Sequence, residues 1–198
     1  MKDEKKLHFS TSEEREFRSL CDEFDRLQKQ CQNDLTPLLP GHVTDDTLQE
    51  LLFEELTDST IDRGTDGGIL GDDMQRLLRF ATAVGLVTKS SSRVNDDLHE
   101  LSHQLEACLI TITSVMRRVF WKNDLTPPQP QDLSGLKRRL DELTRTFLNF
   151  LGEINKENTD SGKVKESSVD DVRNYVIVRT LGGVLLPFKR DLGHLMAG

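Results

Sequence analysis

The chain has 198 residues, enough for one ordinary hydrophobic core or two small helical units. Hydrophobic residues make up 35% and charged residues 30%, a balance that suits amphipathic helices with charged outer faces. The net charge of −8 argues against nucleic acid as a partner, because neutralising phosphates needs a concentrated basic surface, and Arg117-Arg118 and Lys137-Arg138-Arg139 are only short basic runs.

Met1 to Lys6 is charged and shows no apolar leader segment. Cys21, Cys31 and Cys108 are odd in number and lack paired spacing, which fits a reducing, cytoplasmic setting. The first helix is predicted to open on a capping box at Thr11-Ser12-Glu13-Glu14. It runs along Phe17, Leu20, Phe24, Leu27 and Cys31 and stops at Asn33, ahead of Thr36-Pro37. Thr44-Asp45-Asp46 caps a second helix with Leu48, Leu51, Leu52 and Leu56 on one face. A glycine-rich loop is expected over 58–71. A third helix is expected from Asp72-Asp73 onward, with Met74, Leu77, Leu78, Ala81 and Val84 on one side, and Ser90-Ser91-Ser92 as a joint after it.

Asn95-Asp96-Asp97 caps a long fourth helix, 95–122, roughly 40 Å in length. Leu98, Leu101, Leu105, Cys108, Ile112, Val115 and Val119 form an unbroken 3-4 seam along it. Leu133, Leu136, Leu140, Leu143, Phe147, Phe150 and Ile154 form a matching seam on a fifth helix, 132–156. The connector, Asn123 to Gln131, is short and proline-rich and predicts an antiparallel hairpin of the two. Its first eight residues share six with Asn33 to Pro40, which reads as the same turn chemistry used twice. After a polar stretch at 155–167, Ser168-Val169-Asp170-Asp171 caps a last helix through Val172, Val176, Leu181 and Leu185. Gly182-Gly183 weakens that helix, and Pro187 kinks or ends it.

These elements predict an all-α bundle of about six helices built on the hairpin of 95–122 with 132–156. Residues 1–92 form its N-terminal segment and 93–198 the remainder, within one compact domain.

Two motifs carry potential chemistry. His99-Glu100-Leu101-Ser102-His103 resembles the H-E-x-x-H signature of zinc metallopeptidases. That resemblance implies His99 and His103 as ligands and Glu100 as general base, with a third ligand from Glu142, Glu153 or His194. The leucine seam, however, turns both histidines toward water, and no third-histidine continuation follows. Asp62 to Asp73 resembles a twelve-residue EF-hand loop, with acids at positions one, five and twelve and Gly67 at six. Gly64 at position three and Leu70 at position nine supply no side-chain oxygen, so any calcium affinity is expected to be weak. No metal and no cofactor is therefore expected.

The reading that follows is a non-enzymatic cytoplasmic interaction module. Leu109, Met116, Phe120 and Trp121 lie beside the seam of the fourth helix, where they either widen the core or form an exposed patch for a protein partner or a second copy. Two alternatives are a membrane-active bundle, using the apolar run 175–190, and a zinc-dependent hydrolase.

Overall fold

The computed structural model describes residues 7–39, 68–91, 96–128, 133–154 and 166–197. Five α-helices account for nearly all of them: α1 (Thr11–Leu35), α2 (Gly68–Ser91), α3 (Asp96–Lys122), α4 (Leu136–Ile154) and α5 (Glu166–Ala197), with a 3₁₀ turn at Thr36–Leu38. The described residues contain no strand. The expected helix over 44–56 lies outside the described residues, as does the glycine-rich loop up to Gly67.

Four helices close a ring. α3 packs against α1 and α2, and α5 packs against the same two from the other side. Every neighbouring pair is antiparallel. Lys122 near the end of α3 meets Glu13 at the start of α1, and Thr88 near the end of α2 meets His99 at the start of α3. Gln28 of α1 reaches Val178 of α5, and Ser90 of α2 reaches Arg173 of α5. Each ring helix thus has to bury two flanks, which takes a stripe wider than a two-helix seam. The core accordingly includes Phe17, Phe24, Leu27 and Cys31 from α1, and Met74, Leu77, Phe80 and Val87 from α2. From α3 and α5 come Leu105, Ile112, Val119, Ile177, Leu181 and Phe188. It runs through both 1–92 and 93–198 without a break.

The hairpin expectation is corrected by this arrangement. α4 lies against α5, with lesser contact to α2, and the face of α3 that it was expected to cover is occupied by α1 and α2. The seams hold in large part: Leu98, Leu105, Cys108, Ile112, Val115 and Val119 are buried on α3 with Leu101 half-buried, and Leu136, Leu140 and Phe147 are buried on α4 with Leu143 half-buried, while Leu133 precedes α4 and the side chains of Phe150 and Ile154 lie outside the described residues. They meet different helices. α5 touches α1, α2 and α4, and that is why it is apolar almost all round.

Helix ends follow local chemistry with small shifts. The capping box on α1 is Ser10 with Glu13, one residue before the expected Thr11 with Glu14: the Glu13 amide donates to Ser10 Oγ at 3.1 Å and the Ser10 amide to Glu13 Oε1 at 2.8 Å. α1 continues to Leu35 beyond the expected stop at Asn33, and α2 starts at Gly68, ahead of Asp72. Gly68 has φ 56°, a left-handed value that costs glycine little. Ser90 and Ser91 end α2 and are still helical. α3 ends in a Schellman motif, with Asp124 at φ 58° and the Leu125 amide donating to the Phe120 carbonyl at 2.9 Å. Over its described residues, 33–39 and 123–128, the repeat therefore adopts two structures: a 3₁₀ turn after α1 and a left-handed cap after α3.

Gly182 and Gly183 sit inside α5, and Pro187 neither ends it nor stands at its start. A Cβ at Gly182 would lie 2.6 Å from Gln28 Nε2, which donates to the Val178 carbonyl at 2.9 Å, whereas a Cβ at Gly183 meets nothing within 4 Å. Gly183→Ala is expected to stabilise the fold by about 0.5–1 kcal/mol through helix propensity. Gly182→Ala has the same gain but displaces the buried Gln28 amide, at a cost of about 1–3 kcal/mol. Thermal unfolding should therefore rank Gly183→Ala above the wild type and Gly182→Ala below it.

Candidate functional site

The histidine motif is split by the packing of α3. His99 is half-buried, with Nδ1 3.0 Å from the Thr88 carbonyl oxygen on α2, so that ring nitrogen serves an interhelical hydrogen bond. Glu100 and His103 are exposed, and Glu100 Oε1 accepts from Gln104 at 3.0 Å. Of the suggested third ligands, Glu142 pairs with Arg138 on α4 at 3.1 Å, His194 is exposed near the end of α5, and the side chain of Glu153 lies outside the described residues. Among the described residues no three histidine, cysteine or acidic side chains converge as a metal site.

The calcium-loop reading is corrected over its second half. Residues 68–73 are the first turns of α2, so positions seven to twelve are helix, and Asp73 at position twelve is buried at 3% exposure. Residues 62–67 lie outside the described residues. The apolar run 175–190 is built into the core: Val176, Ile177, Val178, Leu181, Leu185 and Phe188 are buried. No helix among the described residues is long and apolar enough to cross a membrane.

The four residues beside the α3 seam separate cleanly. Leu109, Met116 and Phe120 are fully buried, because α3 has a neighbour on each flank, so they form no surface patch. Trp121 is 61% exposed. The expectation missed its companion, Ile110, which is 51% exposed. The two are eleven residues apart, about three helical turns, and therefore share one face. Between Glu106 and Arg117 the sequence contains no charged residue, and the exposed positions are Ala107, Ile110, Thr111 and Ser114. The two hydroxyls are turned inward: Thr111 Oγ1 donates to the Ala107 carbonyl and Ser114 Oγ to the Ile110 carbonyl, each at 2.8 Å. The result is an uncharged strip from Ala107 to Ser114 on a heavily charged protein, followed by one turn bearing Arg117 and Arg118 and then by Trp121. Around that tryptophan α3 is fixed to α1 by Lys122 with Glu13 at 2.7 Å and Arg118 with Glu16 at 3.3 Å. Burial works to raise the Glu13 carboxyl, but the bonds from Lys122 and Ser10 hold it below the ordinary carboxylate range.

A shallow cleft of about 350 Å³ lies between the start of α1 and the end of α5, with Phe17, Cys21, Leu192 and Met196 among its lining residues and Arg18, Asp22 and Lys189 beside them. Cys21 is buried, and burial pushes its thiol up to about 11. Burial likewise raises Cys31 and Cys108 to about 12. All three are protonated thiols at neutral pH, and they pack as small apolar groups.

The densest polar cluster was not visible as a motif. Arg173 of α5 is fully buried. Its guanidinium donates to Asp141 of α4 at 2.6 Å and Ser90 of α2 at 3.2 Å, and it pairs with Asp170 at 3.0 Å. Asn174 donates to the same Ser90 hydroxyl at 2.8 Å, and Lys137 holds the other Asp141 oxygen at 2.8 Å. Burial would raise the Asp141 carboxyl, yet the bonds from Lys137 and Arg173 hold it low. Both terminal nitrogens of Arg173 are bonded within the fold and only the buried Nε has no partner, so the cluster chiefly positions helices. No protein family, curated protein or solved structure matches the chain.

Removing Asp141 leaves Arg173 buried with Asp170 alone, and Asp141→Ala is expected to cost about 3 kcal/mol in urea unfolding. Because the folded carboxyl is depressed, its contribution is complete above the ordinary carboxylate range and is lost as pH falls through the folded value. The variant should therefore lose less stability on acidification than the wild type.

Proposed function

We propose that this chain is a non-enzymatic interaction module that docks a helix of a protein partner along the outward strip of α3. The observation that carries this reading is the uncharged run from Ala107 to Ser114, with Ile110 and Trp121 both exposed on its face. A partner helix can approach closely where side chains are small and hydroxyls are already satisfied, and an exposed tryptophan one turn beyond the strip, past Arg117 and Arg118, supplies an anchor of the kind that dominates binding energy. Leu186 and Ile69 are also exposed, but each stands on a different helix, and single apolar residues on a surface are ordinary. A reducing cytoplasm as the setting rests on the unpaired cysteines.

The test is site-specific photocrosslinking from Ser114 in the full chain, with Arg138 on α4 as an exposed control. A discrete adduct at Ser114, absent at Arg138 and lost at least tenfold in Ile110→Asp and Trp121→Ala, is the expected outcome. Equal labelling from both positions, or adducts unchanged by both substitutions, would refute the docking strip. An adduct between two copies of this chain would identify the partner as a second copy.

A further inference from the structure

The outward stripe of α3 reads the same in both directions. It runs along His103, Ala107, Ile110, Ser114, Arg117 and Trp121, alternating steps of four residues and three. Arg117 is half-buried and the others are exposed, all on the face away from the buried seam. An antiparallel copy of the helix, centred on Ile112, pairs this stripe with itself. Trp121 then faces His103 of the copy, Arg117 faces Ala107, and Ser114 faces Ile110. Bulky groups meet small or planar ones, and the indole and imidazole rings are free to stack. A parallel copy sets Trp121 on Trp121 and Arg117 on Arg117 instead.

Charge on α3 has the same polarity. Asp96, Asp97, Glu100 and Glu106 occupy its first half and Arg117, Arg118 and Lys122 its end, with no charge between Glu106 and Arg117. Arg118 and Lys122 are turned toward Glu16 and Glu13 of α1, which leaves Arg117 as the cation on the stripe. In the antiparallel arrangement Arg117 lies over Ala107, whose methyl leaves room for the guanidinium to reach the neighbouring Glu106 of the copy. Each half of the helix thus meets its opposite sign, twice by symmetry, whereas a parallel copy sets acid on acid and base on base.

We propose that the helix docked on the outward stripe of α3 is α3 of a second copy of this chain, lying antiparallel across a two-fold axis at Ile112. The inference rests on the reading of this face as a helix-docking surface and names its occupant. A partner of unrelated sequence needs no self-matching stripe, whereas a two-fold dimer requires one, because each residue i that touches j must also be touched by j. One helix pair buries less than about 1,200 Å² in total, so the dimer is a reversible one of micromolar affinity.

Sedimentation velocity of the full chain from about 1 to 200 μM is expected to show a monomer–dimer equilibrium, weakened at least tenfold by Ile110→Asp and by Arg117→Glu. Combining Arg117→Glu with Glu106→Arg should restore it, since the exchanged charges still meet. Orientation is read by single cysteines under air oxidation, with the three buried native thiols as background. Thr111→Cys, beside the axis, is expected to link two chains, and Ala107→Cys, about 15 Å from its own copy, is not. A chain that stays monomeric, a dimer untouched by Ile110→Asp, or linkage through Ala107→Cys in place of Thr111→Cys would each overturn the inference. Monomers that still give a discrete Ser114 adduct with another protein overturn the second copy alone and leave the docking strip standing; monomers that give no adduct remove both.

Discussion

A guanidinium buried near the start of the apolar helix α5 constrains the rest of this structure. An isolated charge in such a place is several kcal/mol too costly to persist, so Arg173 fixes what must surround it. Asp141 has to come from α4, Ser90 from the last turn of α2, and Asp170 from the turn before it on α5. Satisfying all three sets the rotation of α5 about its axis and its height relative to α2. It also gives α4 one place to dock. Apolar contact alone would let the α4 seam slide along any leucine-rich neighbour, whereas a 2.6 Å bond at its first turns does not.

This explains why the pattern of the sequence located the helices and misplaced one of them. Periodicity reports which face of a helix is apolar, and so most of the seam residues on α1, α3 and α4 that the structure describes were legible, Leu133, which precedes α4, being an exception. It does not report which helix covers that face. The short connector after Lys122 suggested the nearest neighbour in sequence, but α3 was already enclosed by α1 and α2. The residues that decided the matter look ordinary in one dimension: Arg173 reads as a surface cation, and Asp141 as the i+4 companion of Lys137. The capping box shows the same limit on a smaller scale. Ser10-x-x-Glu13 and Thr11-x-x-Glu14 are equally good locally, and Lys122, distant in sequence, bonds Glu13.

The candidate site was legible only in part, and for a related reason. Width of burial depends on the number of neighbours, so Leu109, Met116 and Phe120 could not be sorted from Trp121 without knowing that α3 has two. A signal for Ile110 was present: it lies midway in the uncharged run 107–116, on the face opposite the seam. An uncharged outer face in a chain with 30% charged residues is a departure from its own composition. The buried Asp73 had no such signal: it stood in the sequence as a helix cap or a loop ligand, and only the packing shows it 3% exposed.

The ring also accounts for where functional surface is left. α5 spends its circumference on three neighbours, so its outward-facing residues are few, and Leu186 is isolated. α4 covers the α5 side of the bundle, and among the described residues no fifth helix lies on the opposite side, occupied by α3. An uncovered helix in such a charged protein would ordinarily be ringed with acids and bases, as α1 is by Asp22, Glu23, Arg26 and Lys29. On α3 the exposed positions between Glu106 and Arg117 instead hold alanine, isoleucine and self-bonded hydroxyls. Those positions are exposed and their two hydroxyls bond within α3 itself, so little in the described packing calls for an uncharged face there, and it is along this face that the proposed partner helix would lie.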